Sequence, residues 1–238
     1  MLFVAHAAAA QTPVAVLGER ALAGDARAMV ELGLAYREDG HAAVAADWFC
    51  RAASQGAADG LFWCGRSLLL GYGRTAESEA GRAMLAAAAD AGSADAALLL
   101  GEHSDGTAAE RWFATAGRLG AAEGDYRLGL LLERRGDRDG ALSALRRAAA
   151  RDFAAAHNAL GVALANAADG DPAARRDALD AFIRGARLGD QAAQLNAGLE
   201  LLAADPARAR GYLAQAAAGR DRSIRELAGR LLERAASR

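Results

Sequence analysis

Asp47-Trp-Phe-Cys-Arg-Ala-Ala-Ser-Gln-Gly56, continuing as Ala57-Ala-Asp-Gly-Leu-Phe-Trp-Cys-Gly65, is the stretch whose spacing decides the fold. Its two glycines stand nine residues apart. The interval recurs at Gly24/Gly33, Gly92/Gly101, Gly120/Gly129 and Gly189/Gly198, and with one member replaced at Asp152/Gly161 and Arg220/Gly229. Successive second members are separated by 28 to 37 residues. Self-similarity at that period marks stacked supersecondary units. Such arrays more often bind partners than carry out chemistry.

The residues between the glycines give each unit two helices. Five positions before the second glycine stands a small residue, as at Ala28, Gly60, Ala96, Gly124, Ala156 and Ala193, in a helix termed A. Counting back from the first glycine of the next pair defines a helix termed B. A small residue stands eleven back (Ala45, Ala109, Ala178), a large one seven back (Phe49, Phe113, Phe182) and a small one four back (Ala52, Ala116, Gly185). Offsets of four and three share one helical face. This register predicts A helices near 26–37, 58–70, 94–104, 121–134, 153–167, 190–203 and 221–236. B helices are expected near 42–55, 77–91, 107–118, 138–151, 173–187 and 206–218, with a half-unit near 13–23 starting at Pro13. Where Asp152 and Arg220 replace the hinge glycine, the turn is expected to be strained or differently capped.

Composition agrees. Alanine accounts for 68 of 238 residues and proline for three, which suits closely packed helices rather than strands. The fold class read from the chain is therefore all-α: a right-handed α-solenoid of about six antiparallel helix pairs with a C-terminal capping helix. Residues 1–12 read as an N-terminal segment, either a short helix or a trimmed targeting remnant, and 13–238 as one repeat domain. Lysine is absent, which excludes Schiff-base chemistry and a P-loop lysine. Residues 1–125 hold nine arginines against sixteen acids, and the remainder nineteen against fourteen. No basic run interleaved with aromatics suggests nucleic acid, and no apolar run has the length of a membrane span.

The stretch 47–56, together with Glu110-Arg-Trp-Phe-Ala-Thr-Ala-Gly-Arg-Leu-Gly120 and Ala193-Gln-Leu-Asn-Ala-Gly198, resembles Sel1-like repeats, relatives of the tetratricopeptide repeat. Ala52-Ala53 before Gly56, and glycine rather than proline at the hinge, favour the Sel1-like type. The resemblance covers about Pro13 to Arg234. Most A-to-B loops lack the longer glycine-containing segment of that family, a departure that suggests a hybrid array.

The resemblance implies a concave groove formed by A helices, with inward positions three before, one after and four after each second glycine. It places Phe62, Arg66, Tyr126, Leu130 and Glu133 there, with Asn158, Val162 and Leu199; Arg27 and Arg37 stand toward one end. Phe62, Arg66, Tyr126 and Asn158 form the anchor set, with interhelical packing as the competing reading for the two aromatics. Trp48, Trp63 and Trp112 are assigned mainly to interhelical core.

No constellation points to catalysis. His6, His41, His103 and His157 are dispersed without metal-ligand spacing, and no serine stands in a nucleophile elbow. No metal or other cofactor is expected. Cys50 lies six residues before Gly56 and Cys64 eight after it, so a hairpin at that hinge sets them roughly opposite. A disulfide and two small buried core residues are both open readings. Cysteine-rich secreted members of the family do carry such bridges, but with cysteines closer to the hinge.

The leading functional reading is a non-catalytic scaffold or adaptor, in a bacterium with a GC-rich genome, that holds a protein or peptide partner in the groove. The alternative is an accessory or substrate-recognition module for an enzyme encoded elsewhere, and a secreted enzyme or cell-wall-binding protein ranks third. A cytoplasmic location is expected ahead of a periplasmic or secreted one. Partner identity, pathway and oligomeric state are not written in the chain.

Overall fold

A computed structural model of the 238-residue chain describes residues 14–169 and 171–236. The N-terminal segment 1–12, Pro13 and Gly170 in the second long loop lie outside the described residues. Among the described residues there are fourteen α-helices and no strand. The chain divides into two compact units, one ending at Leu119 and one beginning at Gly120.

The first unit contains α1 (Val14–Leu22), α2 (Ala26–Glu38), α3 (Ala42–Ser54), α4 (Ala58–Leu70), α5 (Ser78–Asp90), α6 (Ala94–Glu102) and α7 (Gly106–Arg118). The second contains α8 (Ala122–Arg134), α9 (Arg138–Ala149), α10 (Ala154–Ala167), α11 (Pro172–Arg187), α12 (Gln191–Leu201), α13 (Pro206–Ala217) and α14 (Arg222–Ala236). Each boundary falls within two residues of the expected one. Within each unit every helix packs on its neighbours in sequence, and successive even-numbered A helices also touch each other. The two units are each built as a helical-repeat solenoid.

The nine-residue interval has a physical explanation in two different jobs. The first glycine closes a B helix: Gly56 adopts φ +78°, a left-handed turn that is costly for other residues. The second is a notch for the large residue of the B helix that follows. A Cβ on Gly33 or Gly101 would run into the ring of Phe49 or Phe113, and one on Gly129 or Gly198 into Leu145 or Leu213. Phe49, Leu145 and Leu213 are accordingly buried almost completely. At Gly229, in α14, a Cβ would meet nothing among the described residues.

The two hinges without glycine use different solutions. Asp152 takes the left-handed conformation itself, at φ +55°. Arg220 does not. Its turn is held by Gln191, whose side-chain amide donates to the carbonyls of Ala216 and Asp221 and whose carbonyl accepts from the Asp221 N–H. Several helices start on an aspartate cap, among them Asp25, Asp137, Asp190 and Asp205. Asp25 accepts from the Ala28 N–H and from Arg20, contacts that hold its carboxyl below the usual carboxylate range. In the second unit the buried carboxylate of Asp125 on α8 is forked by two arginines, Arg147 of α9 at 2.7 Å and Arg151 of the turn after it at 2.5 Å.

Candidate functional site

The first unit holds a cavity of about 530 Å³ between α2, α3 and α4. Arg37 comes from α2 and Phe49 from α3. Trp63, Arg66, Ser67 and Leu70 come from α4, and Tyr72 from the loop after it. Trp63 is the centre. Phe49 stacks on it with centroids 5.4 Å apart, and Phe62 meets it edge-on at 5.0 Å. The guanidinium carbons of Arg37 and Arg66 stand 4.3 and 5.2 Å from its ring centroid, within cation–π range.

Three features set the electrostatics. Among the described residues the lining contains no carboxylate. Arg37 and Arg66 form no ion pair among the described residues, whereas Arg20 and Arg27 of the same unit pair with Asp25 and Glu31. Ser67 is only 4% exposed as a residue and adds a hydroxyl to the lining.

The wall of this cavity is cross-linked. Cys50 and Cys64, each following a ring of the Phe49–Trp63 stack in sequence, form a disulfide with their Cα atoms 4.8 Å apart. The long loop after α4 is pinned across α3. At Gly73 (φ +77°) its backbone lies so close to the Ala42 carbonyl that a Cβ could not fit. Arg74 donates to Cys50 Sγ at 2.8 Å, and the Glu77 N–H donates to the Leu68 carbonyl. Tyr72 is thereby held at the mouth, half exposed.

The structure distributes the residues expected in the groove over several settings. Arg37 and Arg66 line the cavity, with Phe62 beside it. Arg27 is largely exposed and paired with Glu31 at 2.9 Å, outside that lining. In the second unit, Tyr126 packs on Phe153 at 5.2 Å in a cluster with Ala148, Ala149 and Ala156, and burial raises its pKa. Asn158 accepts a 2.9 Å hydrogen bond from Asn196. Val162 packs against the Phe182 cluster, Leu130 is half-buried and Leu199 is exposed. Glu133 lines a separate cavity of about 500 Å³ with Arg138, Leu142 and Asn166. Sequence reasoning passed over Ser67 and Tyr72 and assigned Trp63 mainly to core. The available signal was position: Ser67 stands two after Gly65, and Tyr72 lies in the long loop.

Among the described residues no group of three histidine, cysteine or carboxylate side chains is placed to hold a metal. No described helix is long and apolar enough to cross a membrane.

No protein-family model and no curated protein matches the chain. Solved structures do. A protective antigen of uropathogenic Escherichia coli strains displaying an SLR fold superposes with a TM-score of 0.72 at 23% identity, over 86% of this chain and 48% of that one. The fold is that of the Sel1-like and tetratricopeptide-like helical repeats. A Sel1 repeat protein of Oxalobacter formigenes matches at TM-score 0.62 and 19% identity, over 88% of this chain and 97% of that one. The Cut9–Hcn1 hetero-tetramer of APC/C matches at 0.54 and 16%, over 95% and 46%. This chain therefore spans about half the length of the antigen and of the APC/C chain. At these identities the Sel1-like likeness concerns fold.

Proposed function

We propose that this protein is an interaction scaffold whose first compact unit holds a segment of a partner protein in the groove beside Trp63. The observation that carries the reading is the cavity itself: two unpaired guanidiniums, a tryptophan and a tyrosine face solvent where the repeat demands none of them. The repeat accounts for Gly65 and Cys64 as architecture, and Arg37, Arg66 and Tyr72 are left over. Arginine and large aromatics are the residue types that most often anchor interfaces. The Cut9–Hcn1 assembly is a case in which a protein of this fold works within a complex.

The test is co-purification with Phe62→Ala/Arg66→Ala. Loss of a partner that the wild-type protein retains supports the groove; an unchanged partner set removes this cavity from the binding surface. The Cys50–Cys64 bridge favours an oxidising compartment over the cytosol. Thiol titration of unreduced protein checks this, and two free thiols would return the reading to the cytosol.

A further inference from the structure

We propose that Cys50 is a thiol-exchange site, at which a low-molecular-weight thiol opens the Cys50–Cys64 bridge by forming a mixed disulfide, with Arg74 as the residue that positions and polarises its sulfur. The site is independent of what the Trp63 groove holds. The two sulfurs of the bridge sit in unlike surroundings. Cys64 on α4 is fully buried, in the core cluster that includes Phe49 and Leu68. Cys50 on α3 is only partly buried, and the Arg74 guanidinium donates to its Sγ at 2.8 Å. Among the described residues Arg74 pairs with no carboxylate, Asp47 one turn before Cys50 included. Arg51, next to Cys50, turns to the ring of Trp48 at 4.7 Å.

The loop between α4 and α5 brings Arg74 to α3. Its backbone is anchored on both sides of the arginine: the Tyr72 N–H donates to the Ser67 carbonyl, Gly73 lies against the Ala42 carbonyl, and the Glu77 N–H donates to the Leu68 carbonyl. A bridge that serves only as a brace needs no cation at one sulfur. A cation there favours the thiolate form of Cys50 over its thiol. It also draws an anionic thiolate toward the one sulfur that solvent reaches.

The exchange balances as follows. A thiol RSH gives its proton to solvent, and the resulting thiolate attacks Cys50 Sγ. The Cys50–Cys64 bond breaks, its electron pair goes to Cys64 Sγ, and that sulfur takes a proton from solvent. The products are the mixed disulfide Cys50–S–S–R and the Cys64 thiol, which burial keeps neutral. A neutral thiol is a poor nucleophile, so Cys64 is slow to close the bridge again. A second RSH attacks the R sulfur of the adduct and leaves RSSR and a Cys50 thiolate beside Arg74. The adduct takes the place of Arg74 and so frees the loop that carries Tyr72 at the cavity mouth.

The experiment treats folded wild-type protein with reduced glutathione in the absence of denaturant, quenches with acid and maps adducts by peptide mass spectrometry. Glutathione is expected on the Cys50 peptide before any appears on the Cys64 peptide, with faster hydrogen exchange at 71–77 in the adduct. Cys64→Ala, checked for folding by circular dichroism, isolates the Cys50 thiol. Its alkylation by iodoacetamide at neutral pH should slow severalfold when Arg74→Gln is added, with the pH profile moved upward, and Arg74→Lys should restore part of the rate. Cys50→Ala should leave a Cys64 thiol that reacts far more slowly.

A bridge that exchanges only in denaturant overturns the proposal, as does an adduct found first at Cys64. A pH profile that Arg74→Gln leaves in place, or unchanged hydrogen exchange at 71–77, removes Arg74 from the mechanism and overturns it too. Where Cys64→Ala does not fold, the glutathione reaction of Arg74→Gln beside wild type decides: severalfold slowing supports the site, and equal rates sink it.

Discussion

The cavity beside Trp63 and the cavity beside Glu133 occupy the same slots of two repeats, one in each compact unit. Arg37 stands four residues after Gly33, and Glu133 four after Gly129. Ser67 and Ala163 each stand two after their glycine, and Leu70 and Asn166 each stand five after. Both hollows lie among an A helix, its B helix and the next A helix, at about 530 and 500 Å³. Their chemistry differs: two arginines, aromatic rings and a hydroxyl line one, against a carboxylate beside a single arginine, alanines and an amide in the other. The repeat places a hollow, and the side chains it leaves unconstrained decide what the hollow attracts. The first is braced by the Cys50–Cys64 bridge and the pinned loop.

Removing the brace should have the largest effect. Cys50→Ala/Cys64→Ala opens a loop of 14-residue separation, worth about 3 kcal/mol on chain-entropy grounds. Thermal unfolding should fall by several degrees, and hydrogen exchange should quicken in α3 and α4 while α8 to α10 stay as they were. A uniform change in both units would break the comparison. Next is Trp63→Ala, which removes a half-buried ring, the stack on Phe49 and two cation–π contacts. About 2–3 kcal/mol is expected by denaturant titration, with loss of partner binding.

Giving the first cavity the second one's charge sharpens the contrast. Arg37→Glu should weaken retention of the co-purifying partner, by reversing the charge beside Trp63, while the unfolding midpoint barely moves. Glu133→Arg should leave the partner set unchanged, because no aromatic ring lines that cavity among the described residues; a new partner held by that variant would show that charge alone suffices.

Smaller effects separate the two hinges that lack glycine. Asp152→Gly relieves a left-handed residue at φ +55° and should stabilise by about 0.5–1 kcal/mol. Arg220→Gly, at a turn without positive φ, should stabilise nothing. The smallest is a pH slope from His157, whose Nε2 is buried without a partner. Burial, then the Arg184 cation, lowers its pKa below 6.5, against Asp152 and a backbone contact from Ala149. The unfolded chain therefore takes up the proton first as pH falls. Stability is full above about 6.5 and declines toward the folded-state value. His157→Leu should flatten that decline in melts recorded as a function of pH.

Much of the fold was legible because it repeats. One glycine pair is weak evidence, but five pairs and two half-pairs in register fix the helices, and the observed ends follow. The concave set was legible only as positions. Register could place Arg37, Arg66 and Phe62, yet it treated Tyr126 and Asn158 as equivalents, although one packs on Phe153 and the other bonds to Asn196. The Cys50–Cys64 pair stood open between bridge and core because spacing sets only an approximate separation. Trp63 was read as core because its neighbours in sequence are core.

By itself the sequence determined where helices begin and end, which face of each is small or large, and which hinges need a left-handed residue. Those properties are local and periodic, so spacing along the chain carries them. Tertiary structure alone decided that Arg37 and Arg66 turn to the ring of Trp63 while Arg27 finds Glu31. It also decided that loop 71–77 folds back over α3. Each depends on side chains brought together from different helices, where distance and solvent access, rather than order along the chain, set the energy.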